Sequence, residues 1–201
     1  MAGRITLGLY NCYDPRRFHD IMRRTLARAA PVAAAFDCNL AAFGFPFDEG
    51  RRREGRSADA PDLRTPLEVA EFVADSTTIG EGGEYFQQLA RESRFQFFPF
   101  PGAGFPPQLG RVVATTPHPD AGKRTTPLEV ARELASGKSQ LLVYGLGPRG
   151  LPKDVLAASK THLEITGKGV SLETATALGA LPAMLAAHLH HLTPRRPGGD
   201  A

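Results

Sequence analysis

Residues 140–192 read QLLVYGLGPRGLPKDVLAASKTHLEITGKGVSLETATALGALPAMLAAHLHHL, and the order of apolar and glycine-rich segments in this stretch indicates the fold class. Leu141 to Tyr144 is a short apolar run bounded by turn residues, which is typical of a strand buried on both faces of a parallel sheet. A glycine-proline loop, a short helix, a second strand at 161–165, a glycine loop and a closing helix at 171–192 follow. The stretch therefore predicts an α/β protein whose sheet is mostly parallel, with helices on both faces.

The loop after the first of these strands is a candidate binding site, because open α/β sheets bind ligands at the carboxyl ends of their strands. Its glycines at 145, 147 and 150 match the dinucleotide pattern G-x-G-x-x-G, with Glu164 roughly 20 residues further on. However, only about 50 residues follow the loop, too few for a complete dinucleotide-binding fold. Glu164 is also predicted inside the strand at 161–165, whereas a ribose-binding acid should lie at a strand's end. An oxidoreductase that uses a dinucleotide is therefore the weakest of three functional hypotheses.

A second interpretation takes the whole segment together. The runs GLGPRGLP (145–152), LEITG (163–167) and GVSLETATALGAL (169–181) resemble the last two motifs of the SPOUT (SpoU-TrmD) superfamily of RNA methyltransferases that depend on S-adenosylmethionine. The resemblance implies a C-terminal trefoil knot, S-adenosylmethionine as the cofactor, tRNA or rRNA as the partner, and a homodimer formed through the knot. An uncharacterised archaeal branch of the superfamily is the implied placement.

The resemblance also implies which residues hold the methyl donor. They belong to the three loops that form the donor pocket in the family: Thr115, Thr116, Tyr144, Gly145, Leu146, Gly147, Gly150, Ile165, Thr166, Gly167, Ser171 and Leu172. Backbone groups in glycine-rich loops can bind adenine and ribose, so few polar side chains are needed there.

Two residues are candidates for catalysis by the same resemblance. The first motif of the SPOUT ribose methyltransferases falls on Arg17, His19 and Arg23; only Arg23 keeps the family residue, and it is the first candidate. Glu173 is the second. Many SpoU-type enzymes carry glutamate at the position of Gly147 and asparagine at that of Glu173, so the sequence leaves open whether a ribose 2'-O or a base is methylated.

Basic residues are clustered, although the net charge is only +3. Such clusters attract phosphates, and guanidinium groups bind phosphate oxygens in a bidentate manner. The candidate RNA contacts lie on a helix predicted to begin at Asp14-Pro15, in an arginine-rich loop and in a polar loop: Arg16, Arg17, Arg24, Arg28, Arg51, Arg52, Arg53, Lys123 and Arg124. A solvated basic surface is the alternative explanation.

The remaining segments predict one domain over residues 1–193, with a mobile charged loop at 48–64 and a disordered tail at 194–201. Further strands are expected at 5–10, 32–36 and 111–116, and helices at 83–92 and 127–135. Thr65 and Thr126 each begin the sequence TPLEVA, which predicts a capping box at the start of a helix.

Cys12 and Cys38 match neither a redox motif nor a zinc site, and packed thiols are favoured over a disulfide. No metal site is predicted. Since no segment of about 20 apolar residues is present, the expected protein is soluble and cytoplasmic. Besides the methyltransferase and the oxidoreductase, a noncatalytic RNA-binding protein on the knotted fold remains open as an alternative.

Overall fold

The computed structural model describes residues 2–47, 63–76, 80–102 and 104–192. Seven strands form one sheet in which every neighbouring pair is parallel, in the order β3-β2-β1-β6-β4-β7-β5. The strands are β1 Ile5–Asn11, β2 Asn39–Phe43, β3 Phe95–Phe98, β4 Arg111–Thr115, β5 Arg124–Thr125, β6 Gln140–Leu146 and β7 His162–Leu163. The helices are α1 Asp20–Ala35, α2 Pro66–Ser76, α3 Gly82–Arg91, α4 Pro127–Ala135, α5 Lys153–Ala158 and α6 Thr174–Leu192.

The sheet separates two hydrophobic clusters. On one face, Leu7, Leu142 and Tyr144 pack with residues of α1, α2, α3, α4 and α6. On the other face, Phe43 and Val143 pack with Val155 of α5 and with aromatic rings that follow β3. The predicted α/β class with helices on both faces is confirmed, but the distribution is unequal: among the α-helices that the structure describes, only the short α5 packs on the second face, together with the aromatic rings after β3.

Both predicted capping boxes are present. The Thr126 Oγ1 accepts the Glu129 amide at 3.2 Å, and the Glu129 carboxylate accepts the Thr126 amide at 2.8 Å. Thr65 and Glu68 repeat the arrangement at 3.2 and 2.9 Å. Hydrogen bonds from the Thr126 amide and hydroxyl lower the pKa of Glu129, so the carboxylate is ionised and can also interact favourably with the start of the helix.

The predicted start of the first helix is wrong. The Asp14 carboxylate accepts the Arg16 amide at 3.0 Å and the Asp14 carbonyl accepts the Arg17 amide, so Asp14 caps an isolated turn. The end of β1 is tied to the residue after β2, because the Asn11 side chain donates to the Gly44 carbonyl at 2.9 Å. Helix α1 consequently begins at Asp20, and Arg16 and Arg17 precede it.

The strand predicted at 32–36 is also wrong, since these residues extend and end α1. Their apolar sequence fits a buried helix as well as a buried strand, and Pro31 is accommodated inside the helix. After a left-handed residue, Asp37 (φ 50°), the true strand β2 begins at Asn39.

The phenylalanines near β3 pack against other aromatic rings of the protein. Phe86 and Phe95 have ring centroids 4.6 Å apart, and Phe43 and Phe98 stack at 5.5 Å. A Cβ at Gly44 would lie 2.3 Å from the Phe100 ring, so glycine is required where this ring covers the chain.

Both cysteines are free thiols, as favoured by the sequence. Of the predicted mobile loop at 48–64, Leu63 and Arg64 are described: Leu63 is buried, and the Arg64 amide donates to Glu68 at 2.7 Å. Residues 48–62 and the predicted tail at 194–201 lie outside the described residues. Among the helices that are described, none is both long enough and apolar enough to cross a membrane.

Candidate functional site

A cavity of about 640 Å³ opens at the carboxyl ends of β4, β6 and β7. Its size falls in the range of pockets that bind small molecules and cofactors. The loops after these three strands form most of its wall, and the start of α6 closes it. The lining residues are Tyr13, Ile21, Thr115, Thr116, Pro117, His118, Tyr144, Gly145, Leu146, Gly147, Pro148, Arg149, Gly150, Leu163, Glu164, Ile165, Val170, Ser171, Leu172, Glu173, Thr174, Ala177 and Leu181.

The loop after β6 doubles back tightly on itself. A Cβ at Gly145 would lie 2.4 Å from the carbonyl carbon of Gly150 and 2.4 Å from the nitrogen of Leu151. Gly150 has a left-handed backbone (φ 66°), and its amide donates to the Gly147 carbonyl at 3.1 Å. Thr174 ties this loop to the start of α6, because its hydroxyl donates to the Gly145 carbonyl at 3.0 Å.

Gly147 packs against the end of β1. A Cβ on Gly147 would lie 2.9 Å from the Cβ of Cys12, and the Cys12 amide donates to the Leu146 carbonyl at 3.1 Å. The glutamate that many SpoU-type enzymes carry at this position would require Cys12 to move. Burial raises the pKa of the Cys12 thiol to about 11, so it remains protonated at neutral pH and supports packing better than nucleophilic chemistry.

The loop after β4 is held by its two threonines. The Thr115 hydroxyl donates to the Val143 carbonyl at 2.9 Å, and the Thr116 amide donates to the Leu163 carbonyl at 3.1 Å. The Thr116 hydroxyl then accepts the His118 amide at 3.2 Å, and the exposed His118 lines the cavity. These contacts join β4 to both neighbouring strands at the rim of the site.

The loop after β7 differs from the prediction. Strand β7 ends at Leu163, so Glu164 lies at the strand's end and not inside it. Its carboxylate accepts the amides of Thr166 at 2.6 Å and of Gly167 at 2.7 Å, together with the Thr166 hydroxyl. Thr166 and Gly167 are absent from the cavity lining among the described residues, because this turn directs them toward Glu164.

The other residues predicted to bind the donor all line the cavity: Thr115, Thr116, Tyr144, Gly145, Leu146, Gly147, Gly150, Ile165, Ser171 and Leu172. The closing helix, predicted to begin at 171, begins three residues later at Thr174. Leu172 consequently precedes the helix and is exposed at 36% beside the cavity.

Several lining residues escaped the sequence analysis. Arg149 lies within the run GLGPRGLP (145–152), which was already a candidate binding loop, so the sequence could have identified it as a lining residue. Tyr13 and Ile21 come from the distant β1–α1 segment, and the sequence contains no local signal for their placement.

The Tyr144 hydroxyl is buried and has no hydrogen-bond partner among the described residues; this burial raises the pKa of Tyr144 well above its usual value.

The two catalytic candidates are placed differently. Glu173 lines the cavity, and its carboxylate accepts the Ala175 amide at 3.1 Å. Arg23 is outside the lining set and forms an ion pair with Asp20, which also pairs with Arg24 at 2.6 Å.

The candidate RNA contacts are scattered. Arg16, Arg17, Arg24 and Arg28 are exposed around the start and middle of α1, and Arg124 is exposed on the edge strand β5. Lys123 is engaged internally, because its ammonium donates to the carbonyls of Leu156 at 3.0 Å and Ala157 at 2.8 Å. Arg51, Arg52 and Arg53 lie outside the described residues.

The dinucleotide interpretation loses its geometric basis. In the dinucleotide fold the ribose-binding acid follows the strand next to the glycine loop, but β4 separates β7 from β6. Both Glu164 carboxylate oxygens also accept hydrogen bonds from its own loop.

Within the part of the chain that the structure describes, no group of three or more His, Cys, Asp or Glu residues is arranged to hold a metal ion.

Comparison with known proteins gives both a family and a fold. The family described as "Protein of unknown function (DUF531)" matches residues 5–186. The uncharacterized protein MJ0224 of Methanocaldococcus jannaschii is 41% identical over 183 residues, which cover 90% of this chain and 93% of the relative.

Two solved structures share the fold at low sequence identity. One, from work on the 2-OH methylation of C/U34 on tRNA, has a TM-score of 0.51 and 21% identity, covering 93% of this chain and 91% of that chain. The SpoU methyltransferase AviRb from Streptomyces viridochromogenes, in complex with AdoMet, has a TM-score of 0.51 and 17% identity, covering 97% of this chain and 60% of that chain. Both structures share the α/β fold that the order of segments in the sequence predicted.

Proposed function

The chain belongs to the family described as "Protein of unknown function (DUF531)", and we propose that it is an RNA methyltransferase that uses S-adenosylmethionine. The observation that carries this proposal is the cavity at the ends of β4, β6 and β7, whose wall is formed mainly by the loops after these three strands. The fold shared with AviRb, which was solved with AdoMet, supports the choice of cofactor. The proposed substrate is tRNA or rRNA, methylated on a ribose 2'-oxygen or on a base.

The proposed donor site relies on backbone more than on side chains. Gly145 allows the loop after β6 to double back on Gly150 and Leu151, Gly147 allows it to pack on Cys12, and Gly150 adopts the left-handed backbone of the turn. Bound S-adenosylmethionine would supply a methyl group on a sulfonium sulfur. The cavity wall would orient the donor relative to the RNA, and proximity and orientation can contribute up to roughly 7–11 kcal/mol to such a reaction.

Glu173 is the stronger candidate for the residue that accepts a proton from the target. It lines the cavity, whereas Arg23 is outside the lining set and is paired with Asp20. A carboxylate near the reacting hydroxyl can act as a general base, which typically contributes 10²–10⁴-fold to the rate. Arg23 is proposed to contact an RNA phosphate after exchanging its Asp20 partner. The exposed Arg16, Arg17, Arg24 and Arg28 would extend that contact.

The proposal is tested by titrating the protein with S-adenosylmethionine, with NAD as the competing ligand, and by following tritiated methyl transfer to unmodified tRNA and rRNA transcripts. We expect micromolar binding of S-adenosylmethionine alone. The Glu173→Gln variant should retain that binding and lose about 10²-fold or more in transfer rate. If S-adenosylmethionine fails to bind while RNA binding falls steeply with salt, the noncatalytic RNA-binding alternative replaces the methyltransferase. Binding of NAD alone would instead favour the oxidoreductase.

A homodimer formed through the C-terminal knot is part of the proposal. Helix α6 has no Asp, Glu, Lys or Arg along its length, and Ala183 and Ala187 are exposed on its outer side. The exposed positions of α6 also include Thr176, His190 and His191, so the apolar part of its outer side is the middle of the helix, around Ala183 and Ala187. An apolar helix face is normally covered by other protein, and a second copy of the chain would provide that cover.

Replacing Ala183 by glutamate is therefore expected to convert a dimer into a monomer, because an uncompensated carboxylate would be buried in the contact. Light scattering coupled to size-exclusion chromatography measures the mass directly. An Ala157→Glu variant on the exposed side of α5 is the matched control. A dimer that persists unchanged in Ala183→Glu would place the contact elsewhere.

A further inference from the structure

Glu164 stands immediately before a segment that forms one wall of the cavity. The segment runs from Ile165 to Glu173, and Ile165, Val170 and Leu172 are among its lining residues. Val170 is 52% exposed and Leu172 is 36% exposed. Burial of Val170 and Leu172 therefore contributes little to holding the wall in place. Ile165 packs against the core at the start of the segment, and beyond it the wall depends on polar contacts.

The carboxylate of Glu164 organises the first half of the wall. One oxygen accepts the Thr166 amide at 2.6 Å and the Thr166 hydroxyl, and the other accepts the Gly167 amide at 2.7 Å. The segment then turns through two left-handed glycines, Gly167 (φ 69°) and Gly169 (φ 68°). A single side chain thus satisfies consecutive backbone donors where no regular structure is available to do so.

The hydroxyl of Thr166 extends this network toward the cavity. A hydroxyl has one proton and two lone pairs. Because Thr166 gives its proton to Glu164, both lone pairs can face backbone amides, and the hydroxyl accepts from Lys168 at 3.1 Å and Val170 at 3.2 Å. Glu164 consequently influences the position of Val170, which it does not itself contact in these hydrogen bonds.

The charge of the carboxylate suits this role. Desolvation alone would raise the pKa of Glu164, but hydrogen bonds from Thr166, Gly167 and Gly169 outweigh it and lower the pKa below its usual value. The group is therefore ionised at neutral pH. An ionised carboxylate accepts hydrogen bonds roughly twice as strong as those to a neutral oxygen.

We propose that Glu164 is a positioning residue that, through Thr166, fixes the wall from Ile165 to Glu173 in the shape that receives the ligand. The identity of that ligand as S-adenosylmethionine rests on the proposed function. Glu164 itself lines the cavity, but both of its carboxylate oxygens accept hydrogen bonds from the wall, so the role assigned to it is to hold the wall. Its effect on the reaction is exerted on donor affinity and on the placement of Glu173.

Two variants remove the network at different points. Glu164→Gln replaces one acceptor oxygen by an NH₂ group, so at least one of the amides of Thr166 and Gly167 loses its acceptor. Thr166→Val keeps the shape of the side chain and removes the hydroxyl. Glu129→Gln is the matched control, because Glu129 also accepts a backbone amide at a loop end and also has a lowered pKa, yet it is not among the lining residues.

The first measurement is hydrogen exchange of the amides from 166 to 170 in the ligand-free protein. We expect exchange to accelerate roughly tenfold in Glu164→Gln and in Thr166→Val, and to remain at the wild-type rate in Glu129→Gln. The second measurement is the dissociation constant for S-adenosylmethionine, which should rise roughly tenfold in both wall variants. The double variant should be no weaker than the worse single variant, because both changes break one network.

The outcomes separate this inference from the proposed function. Wild-type exchange rates in Glu164→Gln would overturn the positioning role whatever the donor affinity. Accelerated exchange with an unchanged dissociation constant would also overturn it, because the wall would then be irrelevant to binding. If the wild-type protein binds no S-adenosylmethionine, the proposed function fails, and the exchange comparison still decides whether Glu164 fixes the wall.

Discussion

Replacing Ala177 by phenylalanine is expected to raise the dissociation constant for S-adenosylmethionine at least 100-fold. Ala177 lies on the side of α6 that faces the cavity and the core. The backbone of α6 is held by its packing on α1 and α4, and a close-packed core has no space for a large ring. The open cavity of about 640 Å³ is therefore the place where the ring can be accommodated, and there it would exclude the donor.

The measurement is calorimetric titration, with thermal unfolding to verify that the variant is folded. Ala157→Phe on α5 is the matched control, since it adds the same ring at an exposed helical position that does not line the cavity. We expect the control to bind the donor with wild-type affinity. A folded Ala177→Phe variant with undiminished affinity would show that the donor site is not this cavity.

Replacing Gly145 by alanine should destabilise the protein by about 3 kcal/mol, a cost typical of forcing extra atoms into packed surroundings. The added Cβ would lie 2.4 Å from backbone atoms of Gly150 and Leu151 and 2.8 Å from the Gly150 carbonyl oxygen. Backbone atoms cannot rotate away as the end of a side chain can, so the whole loop must shift. For a chain of this size the melting temperature should fall by roughly 6–12 °C.

Thermal unfolding followed by circular dichroism measures this effect, and donor titration measures whether the displaced loop still binds. Gly122→Ala is the control, because a Cβ at Gly122 would meet no atom within 4 Å. Its melting temperature should remain close to that of the wild type. An equal melting temperature in Gly145→Ala would mean that the loop after β6 does not double back as described.

Gly145 shows why the loop after β6 could be recognised from the sequence. Glycine is required there because the backbone of Gly150 and Leu151, five and six residues further on, passes close to it. A constraint between residues so near in the chain leaves a pattern that can be read in the sequence. The capping boxes at Thr65 and Thr126 are local in the same way: cap and acceptor are three residues apart, and both were predicted correctly.

The errors arose where the outcome depended on distant residues. Asp14-Pro15 has the composition of a helix start, but the tie between Asn11 and Gly44 and the turn at Asp14 delay α1 to Asp20. The segment at 32–36 is apolar enough for either a strand or a helix, and its place at the end of α1 was decided by burial against the sheet. In each case a local preference was compatible with two structures.

The same division holds within the site. The parallel α/β sheet and the glycine loop after β6 could be predicted from short-range periodicity and spacing in the sequence, whereas most of the cavity wall was predicted only through the resemblance to the SPOUT motifs. Three features required the folded chain: Tyr13 and Ile21 reach the cavity, Glu173 lines it while Arg23 does not, and Glu164 binds its own loop. The physical reason is that hydrogen bonds and packing between distant segments select one arrangement among several that the local sequence allows equally.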